Sequence, residues 1–164
     1  MNAVELAGRA ATLERELGLR QLPRLVEAGA LEGTRVAARF EFGRFEGRTT
    51  VDLAVAGSVW LPCQRCLRPV ECPVDDGAML AIVADDSATV PGGYEAAIGD
   101  AERLSLAELV EEQVLLGMPL VPMHEDEAAC DAGGVHGADD GEPPAEETQR
   151  PFANLRELLG RNER

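Results

Sequence analysis

The fold class predicted is α+β: an antiparallel β-meander or barrel-like sheet covered by short helices and followed by a disordered acidic linker. Three observations predict it. Apolar residues recur at every second position through much of the stretch from Thr34 to Ala84, and at helical spacing on either side of it. Residues 125–149 hold one large apolar residue, Val135, among many Asp, Glu, Gly, Pro and Ala. Such a composition buries too little surface to offset the entropy of ordering the chain. The 164 residues suit one domain with or without a tail.

The N-terminal third begins with Val4, Leu6, Ala10, Leu13 and Leu17, whose spacing predicts an imperfect amphipathic helix over 4–19, closed by Gly18. A second short helix is expected over 22–29, before Gly29. From Thr34 the period changes to two. Val36, Ala38, Phe40 and Phe42 alternate with Arg35, Ala37, Arg39 and Glu41, the pattern of a half-buried strand. A turn at 43–47 leads to a second apolar face of Thr49, Val51, Leu53 and Val55. Gly57 and Ser58 mark a further turn, after which Val59 and Leu61 resume the alternation. A final long strand is expected from Val70 to Ala84, bulged near 75–77. Residues 85–103, acidic and rich in small side chains, read as loop.

Ser105 to Cys130 forms a helix, an arm and an acidic end. Ser105 and Glu108 have capping-box spacing, and Leu106, Leu109, Val110 and Val114 share one face of a helix over 105–116. Glu108, Glu111 and Glu112 are expected to turn away from that face as a solvated surface. Gly117 and Pro119 stop the helix. Leu120, Val121 and Met123 continue in extended chain as an apolar edge that is expected to pack. The folded domain is therefore placed at 1–124 and the linker at 125–149. A short amphipathic helix over 150–164, with Phe152, Leu155 and Leu159 as anchors, is expected either to dock on the domain or to bind a partner.

Charge is unevenly distributed over a net −15. Residues 1–80 carry 10 Arg and 11 acids, residues 81–149 carry Arg103 against 17 acids, and every cation in the chain is Arg. Non-specific nucleic-acid binding needs a basic surface to displace counterions, so this balance argues against it. A basic protein partner fits better. Arg35, Arg39, Arg44 and Arg48 would form a local basic patch only if they shared one face of the sheet. The chain has no apolar run near the ~18 residues that a membrane-spanning helix requires, and its N-terminus lacks a signal-peptide layout. A cytoplasmic location is the expectation, and with it reduced cysteines.

The sharpest motif is Cys63-Gln-Arg-Cys66-Leu-Arg-Pro69, a C-x2-C knuckle at the end of a strand. Two thiolates at this spacing suit one soft cation such as zinc, and a closed site needs two more ligands. Cys72, His124, Cys130 and His136 are the remaining Cys and His. His124 and Cys130 complete the candidate set if the arm folds back over the sheet. Reduced cysteines with a packing role, or none, are the plainer reading. A thioredoxin-like redox site lacks its βαβ context. No nucleophile elbow, phosphate-binding glycine loop or H-E-x-x-H pair occurs, and the chain is read as a non-enzyme without catalytic residues.

The order CQRCLRPV, acidic gap, LAELVEEQVLLGMPLVPMHEDEAAC, acidic linker and RPFANLRELL resembles the YceD family, the large ribosomal RNA subunit accumulation proteins, from about Gly57 onward. The resemblance implies a role in the synthesis, processing or stability of 23S ribosomal RNA. Combined with the charge, it suggests a ribosomal protein or assembly factor of the large subunit as direct partner. A small zinc-binding or redox protein built on the C-x2-C motif is the alternative. Some relatives carry more cysteines after the arm, whereas this chain has only Cys130 there, which argues against a full four-ligand site.

Overall fold

The computed structural model describes residues 1–85 and 87–131. Helix α1 (Ala3–Gly8) is followed by strand β1 (Thr12–Gly18), a 3-10 turn (Leu19–Gln21) and helix α2 (Pro23–Glu27). Strands β2 (Arg35–Phe45), β3 (Arg48–Pro62), β4 (Pro69–Val83) and β5 (Glu95–Ile98) come next, then helices α3 (Leu106–Gly117) and α4 (Glu127–Asp131). The five strands form one sheet in the order β1-β2-β3-β4-β5. The first four are antiparallel, and β5 lies parallel to β4. The α+β class holds, and the sheet is open rather than a barrel.

Alternation sets the core. Val36, Ala38, Phe40 and Phe42 on β2, Val51, Leu53, Val55, Val59 and Leu61 on β3, and Val70, Cys72 and Val74 on β4 are buried on one face. Helices α1 and α3 pack on that face, α1 over β2 and β3 and α3 over β4 and β3. The other face carries no helix among the described residues. The hairpin β2–β3 closes through Glu46 and Gly47, both with positive φ (48° and 78°), the geometry of a two-residue turn whose twist matches the strands.

Several expectations are corrected. The helix expected over 4–19 ends at Gly8, because the backbone turns left-handed at Ala10 (φ 48°), and Thr12–Gly18 becomes an edge strand paired with Arg35–Glu41. The turn expected at Gly57 and Ser58 is absent: β3 runs straight through both. Gly57 serves close approach instead, since a Cβ there would lie 2.2 Å from the Arg35 carbonyl oxygen. The bulge expected near 75–77 is also absent, because the β3–β4 register is continuous from Thr50↔Ala81 to Pro62↔Pro69. Within the loop expected over 85–103, residues 95–98 form β5.

Helix α3 starts where expected, with Ser105 Oγ accepting the Glu108 N–H, and buries Val110 and Val114 completely. Glu111 departs from expectation. It is 2% exposed, and its carboxylate accepts the Arg24 N–H at 2.7 Å in the first turn of α2. It thereby satisfies a backbone donor that a helix start leaves free. The expected acidic linker does not begin at residue 125, because Asp126 accepts the Ala128 N–H and starts α4. Residues 132–149, His136 and the helix expected over 150–164 lie outside the described residues.

The contact at Gly57 is backbone against backbone and cannot relax by a rotamer change. Gly57→Ala is expected to destabilise the domain by more than about 1 kcal/mol, read as a lower urea midpoint at unchanged slope.

Candidate metal centre

Strands β3 and β4 end at facing prolines, Pro62 and Pro69. Proline has no N–H to give to a ladder, so regular pairing stops and the six residues between form a tight knuckle. Within it the Cys63 N–H donates to the Arg68 carbonyl and the Leu67 N–H to the Cys63 carbonyl, both at 2.8 Å. Leu67 takes a left-handed conformation (φ 61°) with its side chain exposed. The strand's alternation continues past Pro62, so Cys63 points inward and is fully buried.

The second half of the site arrives from the arm. After α3, Pro119 and Pro122 keep the chain extended, and the Gln64 N–H donates to the Pro122 carbonyl at 2.8 Å. His124 follows, and α4 then brings Cys130 to a buried position. All four sequence candidates, Cys63, Cys66, His124 and Cys130, converge, with their ligand atoms within 4.8 Å of one another. The sulfurs of Cys63 and Cys130 are 3.8 Å apart. His124 Nδ1 lies 3.6 Å from the Cys66 sulfur and 3.5 Å from that of Cys130. His124 Nε2 lies 3.2 Å from the Pro69 carbonyl oxygen. That carbonyl can only accept, so it takes the proton on Nε2 and turns Nδ1 toward the sulfurs. The argument from too few cysteines after the arm fails here, because the imidazole supplies the fourth donor.

Cys72, the other cysteine weighed among the described residues, is buried on β4 opposite Val59 and lies outside the group. Burial pushes its thiol pKa up, and the nearby Cys63 adds to the effect. At Cys63 burial also raises the thiol, but hydrogen bonds from the backbone of Cys66, Arg65 and His124 and from the His124 ring outweigh it and bring the pKa to about 5. Cys130 is pushed up to about 11 by burial, by hydrogen bonds with Cys66 and Cys63, and by their charge. A thiolate is therefore favoured at Cys63 and disfavoured at Cys130. A positive ion at the centre favours it at both. Three sulfurs and one imidazole nitrogen are a donor set for one soft divalent cation.

Sequence reasoning missed the backbone partners, the Pro69 and Pro122 carbonyls and the Gln64 N–H, since any residue type supplies such groups. It also missed α4, whose start at Asp126 is signalled only by an N-cap residue type.

Comparison with known proteins places the chain. The family described as large ribosomal RNA subunit accumulation protein YceD matches residues 51–159, and the chain belongs to that family. The matched stretch takes in the knuckle, the arm and Cys130. No curated protein and no solved structure matches.

Leu67 bears the steric cost of a left-handed residue with its side chain in solvent. Leu67→Gly is expected to raise stability by about 1 kcal/mol. A lower unfolding midpoint in that variant would show that the leucine side chain, not its backbone, holds the knuckle.

Proposed function

We propose that the chain is a non-enzymatic factor in large-subunit biogenesis. In this reading it supports the synthesis, processing or stability of 23S ribosomal RNA by binding a basic ribosomal protein or assembly factor. Family membership supplies the process. The observation that carries the mode of action is the charge of the uncovered sheet face. Glu14 and Glu16 on β1, Glu41 on β2, Asp52 on β3, and Glu71 and Asp75 on β4 are all exposed there, against Arg35, Arg39 and, at the hairpin end, Arg48. The centre of the face is low, made of Ala37, Ala54, Ala56 and Gly77, with Trp60 beside Glu71 and Met79 beside Asp52. A shallow acidic surface steers cationic partners and repels a phosphate backbone.

Direct RNA contact through the arginines has less support. Arg39 is paired with Glu41 at 2.7 Å and lies 3.8 Å from Glu14. Arg44 falls on the opposite parity of β2 from Arg35 and Arg39, and Arg48 sits at the hairpin end. The four do not make one patch. No helix among the described residues is long and apolar enough to cross a membrane.

Depleting the protein in its host is expected to lower 23S relative to 16S RNA and to reduce mature large subunits on a gradient. Unchanged ratios would refute the proposed process. Purified large-subunit proteins screened at low salt, where exposed charges are least screened, are expected to include one that binds. The combined change Glu14→Gln, Glu16→Gln and Asp75→Asn should weaken that complex about tenfold, mainly through the association rate. Undiminished binding by this variant would move the contact elsewhere on the chain.

A further inference from the structure

We propose that Cys63, Cys66, His124 and Cys130 hold one Zn2+ in a closed tetrahedral site, and that this ion clamps the arm, residues 118–131, onto the β3–β4 knuckle. The inference is independent of the role in RNA metabolism, and its test uses no RNA.

Geometry comes first. A zinc ion bonded to sulfur at about 2.3 Å and to imidazole nitrogen at about 2.0–2.1 Å in a tetrahedron separates two sulfurs by about 3.8 Å and a sulfur from the nitrogen by about 3.5 Å. Cys63 Sγ and Cys130 Sγ are 3.8 Å apart, and His124 Nδ1 is 3.6 and 3.5 Å from its two sulfur neighbours. A disulfide would need the sulfurs at about 2.05 Å; all four cysteines are free. The imidazole is already oriented for coordination, with Nε2 on the Pro69 carbonyl, an arrangement typical of zinc-bound histidine. Four protein donors fill a tetrahedron and leave no position for substrate, which makes the site structural rather than catalytic.

A second observation lies in the same knuckle. The Nε and one terminal nitrogen of Arg68 are buried without a hydrogen-bond partner among the described residues. Zn2+ with three thiolates and a neutral imidazole carries a net charge of −1. A loop that buries a guanidinium beside Cys66 in sequence is provided with compensating charge once the ion is in place.

The arm supplies the reason for a clamp. Leu120 is 99% and Val121 56% exposed, and Met123 is also exposed, so the packing expected of these residues from sequence is absent. The arm's bonds to the knuckle include the Gln64 N–H to Pro122, the His124 contact to Pro69, the His124 N–H to the Cys63 sulfur, and the sulfur cluster. A few hydrogen bonds worth about 1 kcal/mol each offset little of the entropy of ordering a dozen residues. Joining Cys66 to His124 through one ion closes a long loop and removes much of that entropic cost. On binding, each coordinating thiol loses its proton to solvent, the zinc–sulfur bond replaces the S–H bond, and no electron is transferred. Cys66 and His124, which are only half-buried, leave a way in for the ion.

The test uses the full chain, purified without an affinity tag under reducing conditions. Native mass spectrometry and elemental analysis are expected to find one zinc per chain, and Co2+ exchanged into the site should give the thiolate charge-transfer and intense visible bands of a tetrahedral complex. Cys130→Ser and His124→Ala should each lower zinc affinity at least tenfold. Cys72→Ala, whose sulfur lies outside the cluster, should keep one equivalent. Removing the metal from the unaltered chain with a chelator should speed amide exchange at least tenfold over 118–131 and at Gln64, with β2 and β3 unchanged. Less than a tenth of an equivalent after reconstitution with Zn2+, or a Cys63–Cys130 disulfide that persists in reductant, would overturn the site. Stoichiometric zinc whose removal leaves exchange of the arm unchanged would overturn the clamp.

Discussion

The structure depends on the unbroken run of β3. Fifteen residues, Arg48–Pro62, pair with β2 on one side and β4 on the other, without a register break on either. Because side chains alternate with a period of two, a single slip anywhere along this strand would send every later residue to the wrong face. Cys63, one residue beyond the strand, inherits that parity and is buried because Val51, Leu53, Val55, Val59 and Leu61 are. Gly57 makes the continuity possible by letting the β2 backbone approach where a side chain would collide with Arg35. The geometry of the cysteine cluster is thus set in part by a residue six positions upstream that never touches it.

Much of this was legible in the sequence where a local rule and the tertiary contact agree. The alternation of Val36 to Phe42, the Ser105 cap and the Val110/Val114 face of α3 each follow from a periodicity or a capping preference, and packing reinforces them. The failures fall where the chain follows its neighbour rather than its own pattern. Thr12–Gly18 contains helix-compatible residues, but its backbone groups are satisfied by the open edge of β2, so edge pairing overrides the local preference. Gly57 looks like a turn because turns and close backbone approach both select glycine. Glu111 looks like a solvated face until α2 brings a free N–H against it. At the cluster the ligand types could be read from the sequence, but their convergence could not. It requires the arm to reverse direction through Pro119 and Pro122, and those prolines state where the helix ends without stating where the chain goes next.

Charge is sorted by layer as well as by sequence. The helix-covered face of the sheet takes most of the apolar residues, with Asp76 beside Gly117 an exception, and leaves Glu14, Glu16, Glu41, Asp52, Glu71 and Asp75 on the other face, around a centre of Ala37, Ala54, Ala56 and Gly77. Small residues between carboxylates keep the surface low, so that a partner can lie across several strands at once. A face of like charges also guards an open sheet against stacking on another copy of itself. Acidity here answers two physical needs, recognition of cations and avoidance of self-association, and neither requires the cysteine cluster.

The two ends of the domain are therefore energetically separable. The fully buried side chains Phe40, Leu22, Leu25, Leu53, Val55 and Val110 lie on the sheet and the helices that cover it, so the cooperative core closes without the arm. In the arm itself, Leu120, Val121 and Met123 are exposed, while among the described residues past α3 Cys130 enters the core cluster and Met118 packs against it. Elements with few buried contacts open at a lower free energy than the core they attach to. Whatever holds Cys130 and His124 to the knuckle thus decides whether the arm is ordered, while the fold of the sheet is already decided by β3. The family's matched stretch thus combines a well-packed support, β3 and β4, with an arm that buries few side chains, Pro122 and Cys130 among them.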